Sequence, residues 1–100
     1  MTLTGRLTRL SIPTKAVPYW RAEVVRTEDE AADPFSPAVT IRLDSQWAED
    51  AMRLHGGVAL SYGANVQFRG EVEPYRGALA HYRATATPWW GPAAEVSHGI

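Results

Sequence analysis

Basic and aromatic side chains are interleaved along this 100-residue chain. The groups are Lys15, Tyr19, Trp20 and Arg21, then Phe68 and Arg69, Tyr75 and Arg76, Tyr82 and Arg83, and Trp89 and Trp90. A basic group can contact a phosphate, and an aromatic ring can stack on a nucleobase for roughly 1–3 kcal/mol per base. Nine of the ten basic residues are arginine, whose planar guanidinium suits both contacts. The pattern therefore favours a surface that binds a flexible polyanion.

The formal net charge of −1 at pH 7 does not by itself favour such a ligand. Most of the acidic residues, however, fall in two short stretches, namely Glu28, Asp29, Glu30 and Asp33, and then Asp44, Glu49 and Asp50. The other acids are few against the ten basic residues, so a folded surface can carry a basic face despite the overall balance. Ordinary scatter of charge over the surface is the alternative interpretation.

The sequence lacks the usual signatures of catalysis. His55, His81 and His98 are too far apart to form a metal-binding motif, and no serine stands in a nucleophile-elbow context. Glu71 and Glu73 share one face of a predicted strand, which indicates an exposed face rather than a catalytic pair of carboxylates. We expect a binding protein rather than an enzyme, with no cofactor and no bound metal.

The absence of cysteine excludes disulfides, thiolate metal sites and a cysteine nucleophile, and it fits a reducing compartment. No apolar run approaches the length that spans a membrane, and the first residues do not resemble a secretory signal. We expect a soluble cytoplasmic protein with one domain, since 100 residues leave no room for two cores.

Alternation of apolar and polar residues predicts five short strands and one helix. The strands are expected at residues 2–12, 19–27, 38–43, 66–73 and 78–87, and the helix at 45–55. A bulge or a strong bend is expected in the first strand, because its apolar residues change parity, and sharp bends are expected at Gly5 and Gly70. Residues 28–37 are acidic and then punctuated by proline, which predicts a mobile connection.

The core is expected to include Ile41, Trp20 and Phe68. On the helix, Trp47, Ala51 and Leu54 form one apolar stripe with helical spacing. Tyr82 has two possible orientations, inward if a bulge occurs near Gly77 and outward otherwise. Three roles are possible for Trp89 and Trp90, namely docking on the barrel, lining a subunit interface and stacking on bases.

The order of these elements resembles the OB-fold, and in particular single-stranded-DNA-binding proteins and their relatives. The resemblance is carried by Val39–Leu43, the helix that follows, the segment GANVQFRGEVEPYRG and residues 79–87, and it covers roughly residues 2–88. It implies an all-β fold with one short helix, a five-stranded Greek-key barrel whose helix lies between the third and fourth strands. Residues 89–100 are then expected to form an irregular C-terminal tail.

In an OB-fold the outer face of the second and third strands, with the loops between strands one and two and strands four and five, forms the binding groove. The resemblance therefore implies a site for single-stranded DNA or RNA made of Lys15, Tyr19, Arg21, Arg42, Arg69, Tyr75 and Arg76. It also implies a homodimer or homotetramer, because one barrel offers few nucleotides of site. The alternative is a protein-interaction OB domain, an adaptor or assembly subunit without nucleic-acid contact, and a small-ligand or oligosaccharide barrel is a third class.

Overall fold

The computed structural model describes residues 1–55, 65–77 and 80–92, and the side chain of His55 is not among its described parts. The strands are β1 (Thr2–Ser11), β2 (Trp20–Arg26), β3 (Val39–Leu43), β4 (Val66–Pro74), β5 (His81–Ala84) and β6 (Trp89–Pro92). The helices are α1 (Thr27–Ala32) and α2 (Ser45–His55). Helix α2 covers the predicted residues 45–55, and β5 ends at Ala84, before the end of the predicted strand 78–87, of which residues 78 and 79 lie outside the described part. Within the described ranges, neither helix is long and apolar enough to cross a bilayer.

Strands β1 to β5 close into a barrel, which confirms the expected all-β class. β1 pairs antiparallel with both β2 and β4, β2 pairs with β3, and β5 joins β3 in parallel and β4 in antiparallel orientation. Gly5 is paired on both sides, opposite Arg26 on β2 and Phe68 on β4, and so is the next residue, Arg6. The expected bulge in β1 is confirmed by a register shift between Leu7 and Arg9.

Strand β6 continues the line of β5 along one edge of β4. The Val72 amide donates to the Met1 carbonyl on one edge of β4, whereas the Glu71 carbonyl accepts from the Thr85 amide on the other. β6 pairs with the first half of β4 on the edge that β1 leaves free. The prediction of an irregular tail from residue 89 onward is therefore wrong for residues 89–92, and residues 93–100 lie outside the described part.

The reason for this error is the burial of Trp90. This side chain is opposite Phe68 in the β4–β6 pairing and is only 2% exposed, as part of the main apolar core. Burying an indole stabilises a short strand by far more than the neighbouring prolines cost it. Of the three roles left open for Trp90, the structure supports docking on the sheet.

The acidic stretch after β2 begins with a helix, so the prediction of a mobile connection over residues 28–37 is wrong at its start. The Arg26 guanidinium donates two hydrogen bonds to Asp29, of 2.7 and 3.1 Å, and lies 3.5 Å from Glu28. The bond to Asp29 raises the pKa of Arg26 above its ordinary value. Carboxylates in a first helical turn also interact favourably with the helix dipole. The acidic residues that suggested a loop therefore stabilise α1.

The core lies between the sheet and α2, and its largest fully buried side chains include Phe68 and Ile41. Ala48 and Ala51 are buried where α2 contacts β3 and β6. Leu54, by contrast, is 65% exposed, so the predicted stripe is wrong at this position. The two small alanines allow the helix axis to approach the sheet closely, and Leu54 then lies to one side of the contact. Trp47 is half-buried at the border of the core.

Candidate nucleic-acid interface

Three arginines lie side by side on neighbouring strands at one level of the barrel. In the register of the sheet, Arg21 on β2 is opposite Arg42 on β3, and Arg42 is opposite Arg83 on β5. Their neighbours Ala22, Ile41 and Ala84 are buried, so the alternation of the strands places the guanidinium groups on the outer face. We call Arg21, Arg42 and Arg83 the arginine row. Neighbouring strands are about 4.7–4.9 Å apart, so each arginine of the row lies one strand spacing from the next.

Arg42 connects two loops of the barrel through aromatic contacts. Its guanidinium carbon lies 3.9 Å from the ring centroid of Tyr19, just before β2, and 5.5 Å from that of Tyr75, just after β4. The Arg42 Nη1 donor also bonds the Tyr75 hydroxyl at 2.9 Å. Three of the residues predicted from sequence therefore form one half-buried cluster, and a guanidinium over an aromatic face is stabilising.

The recess beside this cluster is too small to hold an organic ligand. Its lining residues are Tyr19, Thr40, Arg42, Tyr75, His81 and Tyr82, and its volume is about 20 Å³, which accommodates about one water molecule. A ligand at this face must therefore lie along the surface. A larger cavity, of about 350 Å³, lies between the start of β1 and α1, and none of the predicted site residues lines it.

Arg21 has an unmet hydrogen-bonding requirement. Its Nε atom is buried and has no hydrogen-bond partner among the described residues, although the residue as a whole is half-buried. A buried donor without a partner costs about 1–3 kcal/mol. The cost falls on the side chain that begins the arginine row.

The remaining predicted residues are distributed unequally around this cluster. Lys15 is exposed in the loop that also contains Tyr19, and Arg76 is exposed in the turn that follows Tyr75. Arg69 lies on a different part of the sheet, because it is opposite Thr4 on β1 and Trp89 on β6. Its guanidinium carbon is 5.6 Å from the Trp89 ring. The structure therefore does not bring Arg69 together with the other predicted residues.

Pairing with carboxylates divides the basic residues into two sets. Arg6, Arg26, Arg53 and Arg83 each lie within 4.0 Å of a carboxylate. Within the described part of the chain the others have no carboxylate partner, and they are Arg9, Lys15, Arg21, Arg42, Arg69 and Arg76. All five basic residues chosen from the sequence belong to this second set. Their charges are therefore available to an anionic ligand.

Arg83 was not among the residues predicted from the sequence for this site. The sequence left two orientations open for the Tyr82 side chain. Arg83 follows Tyr82 on the same strand, so its side chain must point to the opposite face. In the structure Tyr82 packs against the core and its hydroxyl accepts a bond of 3.1 Å from Arg26 Nη1. Arg83 consequently points outward beside Arg42. Alternation along β5 would have identified Arg83 as an outward-facing residue if Tyr82 had been known to point inward.

The two acidic residues predicted to share a strand face have separate partners. Glu71 accepts a hydrogen bond from the Thr2 hydroxyl, and Glu73 lies 3.8 Å from Arg83 Nε. Both are exposed. Among residues 1–55, 65–77 and 80–92, no three potential metal ligands from histidine, cysteine, aspartate or glutamate come together. No family model, curated protein or solved structure matches this chain.

Proposed function

We propose that this chain is an OB-fold protein that binds single-stranded nucleic acid stoichiometrically along the arginine row. The observation that carries the proposal is the register that places Arg21, Arg42 and Arg83 side by side on β2, β3 and β5, with Arg42 in contact with Tyr19 and Tyr75. Guanidinium groups contact phosphates and aromatic rings stack on bases, which together bind a single strand without sequence preference.

The topology of the barrel supports the choice of this surface. Its pairing order is β1-β2-β3-β5-β4, closed by β1 on β4. In OB-folds the outer face of strands two and three, flanked by the first and fourth connections, is the surface that binds oligonucleotides. Tyr19 lies in the first of these connections and Tyr75 in the connection between β4 and β5.

The distribution of acidic residues also supports the proposal. Helix α1 follows β2 directly, and Arg26 at the end of β2 is five residues, or about 17 Å of strand, from Arg21. Asp29 is engaged by Arg26 and Glu30 by Arg6, at 2.7 and 3.2 Å. Carboxylates that are both distant and paired contribute little repulsion to a phosphate on the arginine row.

A base can stack on Tyr19 in two ways. Arg42 covers one face of this ring at 3.9 Å, so a base stacks either on the opposite face or on the face that Arg42 leaves when it turns to a phosphate. In the second case the Tyr19–Arg42 contact is exchanged for a base–Tyr19 contact and an arginine–phosphate contact. Stacking and phosphate contacts therefore contribute separately, and variants can separate them.

The test is titration of fluorescently labelled oligo-dT and oligo-U, followed by anisotropy at several salt concentrations. Arg21→Gln should reduce the salt slope by about 0.7, the value for one phosphate contact on a single strand. Tyr19→Ala should weaken binding by roughly 1–3 kcal/mol with little change in slope, because stacking releases no counterions. Arg53→Gln is the matched control, since it removes one charge on α2 from a side chain that is 73% exposed.

Absence of any anisotropy change at micromolar protein and low salt would overturn the proposal. The protein-interaction alternative would then apply, and one observation favours a specific place for it. Phe35 is 90% exposed in the connection between α1 and β3, where it is flanked by Pro34 and precedes Ser36 and Pro37. An aromatic side chain presented in this way is typical of an anchor that inserts into a partner's pocket.

A further inference from the structure

The arginine row places like charges next to one another without enough acid to balance them. Arg21 and Arg42 are direct cross-strand partners, and so are Arg42 and Arg83. Like charges directly opposite each other on neighbouring strands destabilise a sheet. In the same register the row continues to Ser11 on β1 and to Glu73 on β4, so one carboxylate faces three guanidinium groups.

None of the three arginines is fully satisfied by its neighbours. The Nε atom of Arg21 is buried without a partner. Arg42 uses Nη1 to bond the Tyr75 hydroxyl, which is a neutral acceptor. Arg83 lies 3.8 Å from Glu73, longer than a hydrogen bond, and both side chains are about half exposed. The positive charge of the row and the remaining donors of Arg42 and Arg83 are therefore left for an external acceptor.

We propose that Arg21, Arg42 and Arg83 form a single phosphate-binding site, which we call the seat, and that Arg83 is a binding residue. The seat takes the phosphate of a nucleic-acid backbone or a free phosphate, since guanidinium groups bind the oxygens of both through charge-assisted hydrogen bonds. This inference rests on the proposed function in that it names where the phosphate binds. It goes further in assigning Arg83 and in predicting that phosphate binds without any base.

Acidic side chains that face the arginine row compete with an anion for it, and this competition provides a second test. Glu73 lies next to Arg83, and Glu23 is the outward residue two positions beyond Arg21 on β2. Because Glu73 competes with an anion for Arg83, removing its charge should strengthen phosphate binding. Removing the charge of Glu30, which is bonded to Arg6 instead, should not.

The experiment is calorimetric titration of the full chain with inorganic pyrophosphate at low ionic strength. We expect saturable binding, a loss of about tenfold in affinity for Arg21→Gln and for Arg83→Gln, and a loss of less than about twofold for Arg53→Gln. Glu73→Gln should tighten binding, and Glu30→Gln should leave it unchanged. Arg83→Gln changes a half-exposed side chain, so this variant keeps the test valid if Arg21→Gln fails to fold.

Different results would refute the phosphate seat and the nucleic-acid function. If wild-type protein shows no saturable binding of pyrophosphate, or if Arg53→Gln weakens it as much as Arg83→Gln does, the seat is wrong, whatever oligo-dT does. Suppose that pyrophosphate binds, that Arg83→Gln abolishes this binding, and that the wild-type protein does not bind oligo-dT. The seat is then correct and the proposed nucleic-acid function is wrong. Parallel loss of both ligands in Arg83→Gln supports the seat and the function together.

Discussion

The closure of the barrel at Gly5 can be tested by adding one methyl group. Gly5 is a position of β1 that pairs with both β2 and β4. A Cβ atom at this position would lie 2.2 Å from the Val25 carbonyl oxygen, 2.7 Å from Val24 Cγ1 and 2.9 Å from Arg26 Cα. Two of these three atoms belong to the β2 backbone, which cannot move aside as a flexible side chain can. Gly5→Ala therefore forces β1 and β2 apart.

The expected cost follows from the size of this overlap. Non-bonded heavy atoms pack at about 3.5–4.0 Å, so the new methyl group, 2.2 Å from the Val25 oxygen, is too close to it by more than about 1 Å. Overpacking usually costs about 1–3 kcal/mol, and we expect at least the upper value because the clash is with backbone. For a domain of this size, a loss of about 3 kcal/mol lowers Tm by roughly 12–24 °C.

The assay is urea and thermal unfolding followed by circular dichroism, with Gly77→Ala as the matched control. Gly77 has a φ of +82°, and a Cβ atom added to it would meet nothing within 4 Å, so alanine there adds backbone strain without a clash. The left-handed conformation costs about 1–2 kcal/mol. If Gly5→Ala is no less stable than Gly77→Ala, β1 does not contact β2 at Gly5 as the structure has it, and the account of barrel closure is wrong.

Three further predictions concern the core, the acidic helix and the surface of α2. Ile41→Ala should lower the free energy of unfolding by about 2–5 kcal/mol in urea titrations, whereas Ile12→Ala, at a side chain that is 65% exposed, should change it by less than about 0.5 kcal/mol. Neutralising Glu28, Asp29, Glu30 and Asp33 together should leave oligo-dT affinity within a few-fold at moderate salt, and a large gain would place α1 over the binding surface. Leu54→Gln should leave Tm unchanged, and a clear decrease would show that Leu54 is packed in the core.

Some of the binding surface could be predicted from the sequence because a strand has a short, local period. Side chains alternate between the two faces of a strand, so the apolar Val39, Ile41 and Leu43 identify the inner face of β3 and place Arg42 outside. Tyr19 and Tyr75 could be chosen because they adjoin predicted strands near arginines. These inferences need only neighbouring residues, and the structure brings all three side chains together.

Other features depend on contacts between residues that are distant in the chain. Arg83 joins Arg42 only because β5 pairs in parallel with β3, and the direction of Tyr82 depends on its packing against the core. Strand β6 forms because Trp90 is buried opposite Phe68, although its own neighbours include two prolines. Local propensity opposes that strand and long-range burial overrides it.

The sequence alone determined which residues of β2 and β3 face outward and where basic residues outnumber the acids near them, because alternation and composition are local properties. The tertiary structure decided which outward residues become neighbours, since strand pairing sets the register. It placed Arg21, Arg42 and Arg83 in one row and separated Arg69 from them on the β1–β4–β6 part of the sheet. A site for an anion is a property of that register, because charges act over a few ångströms of space rather than along the chain.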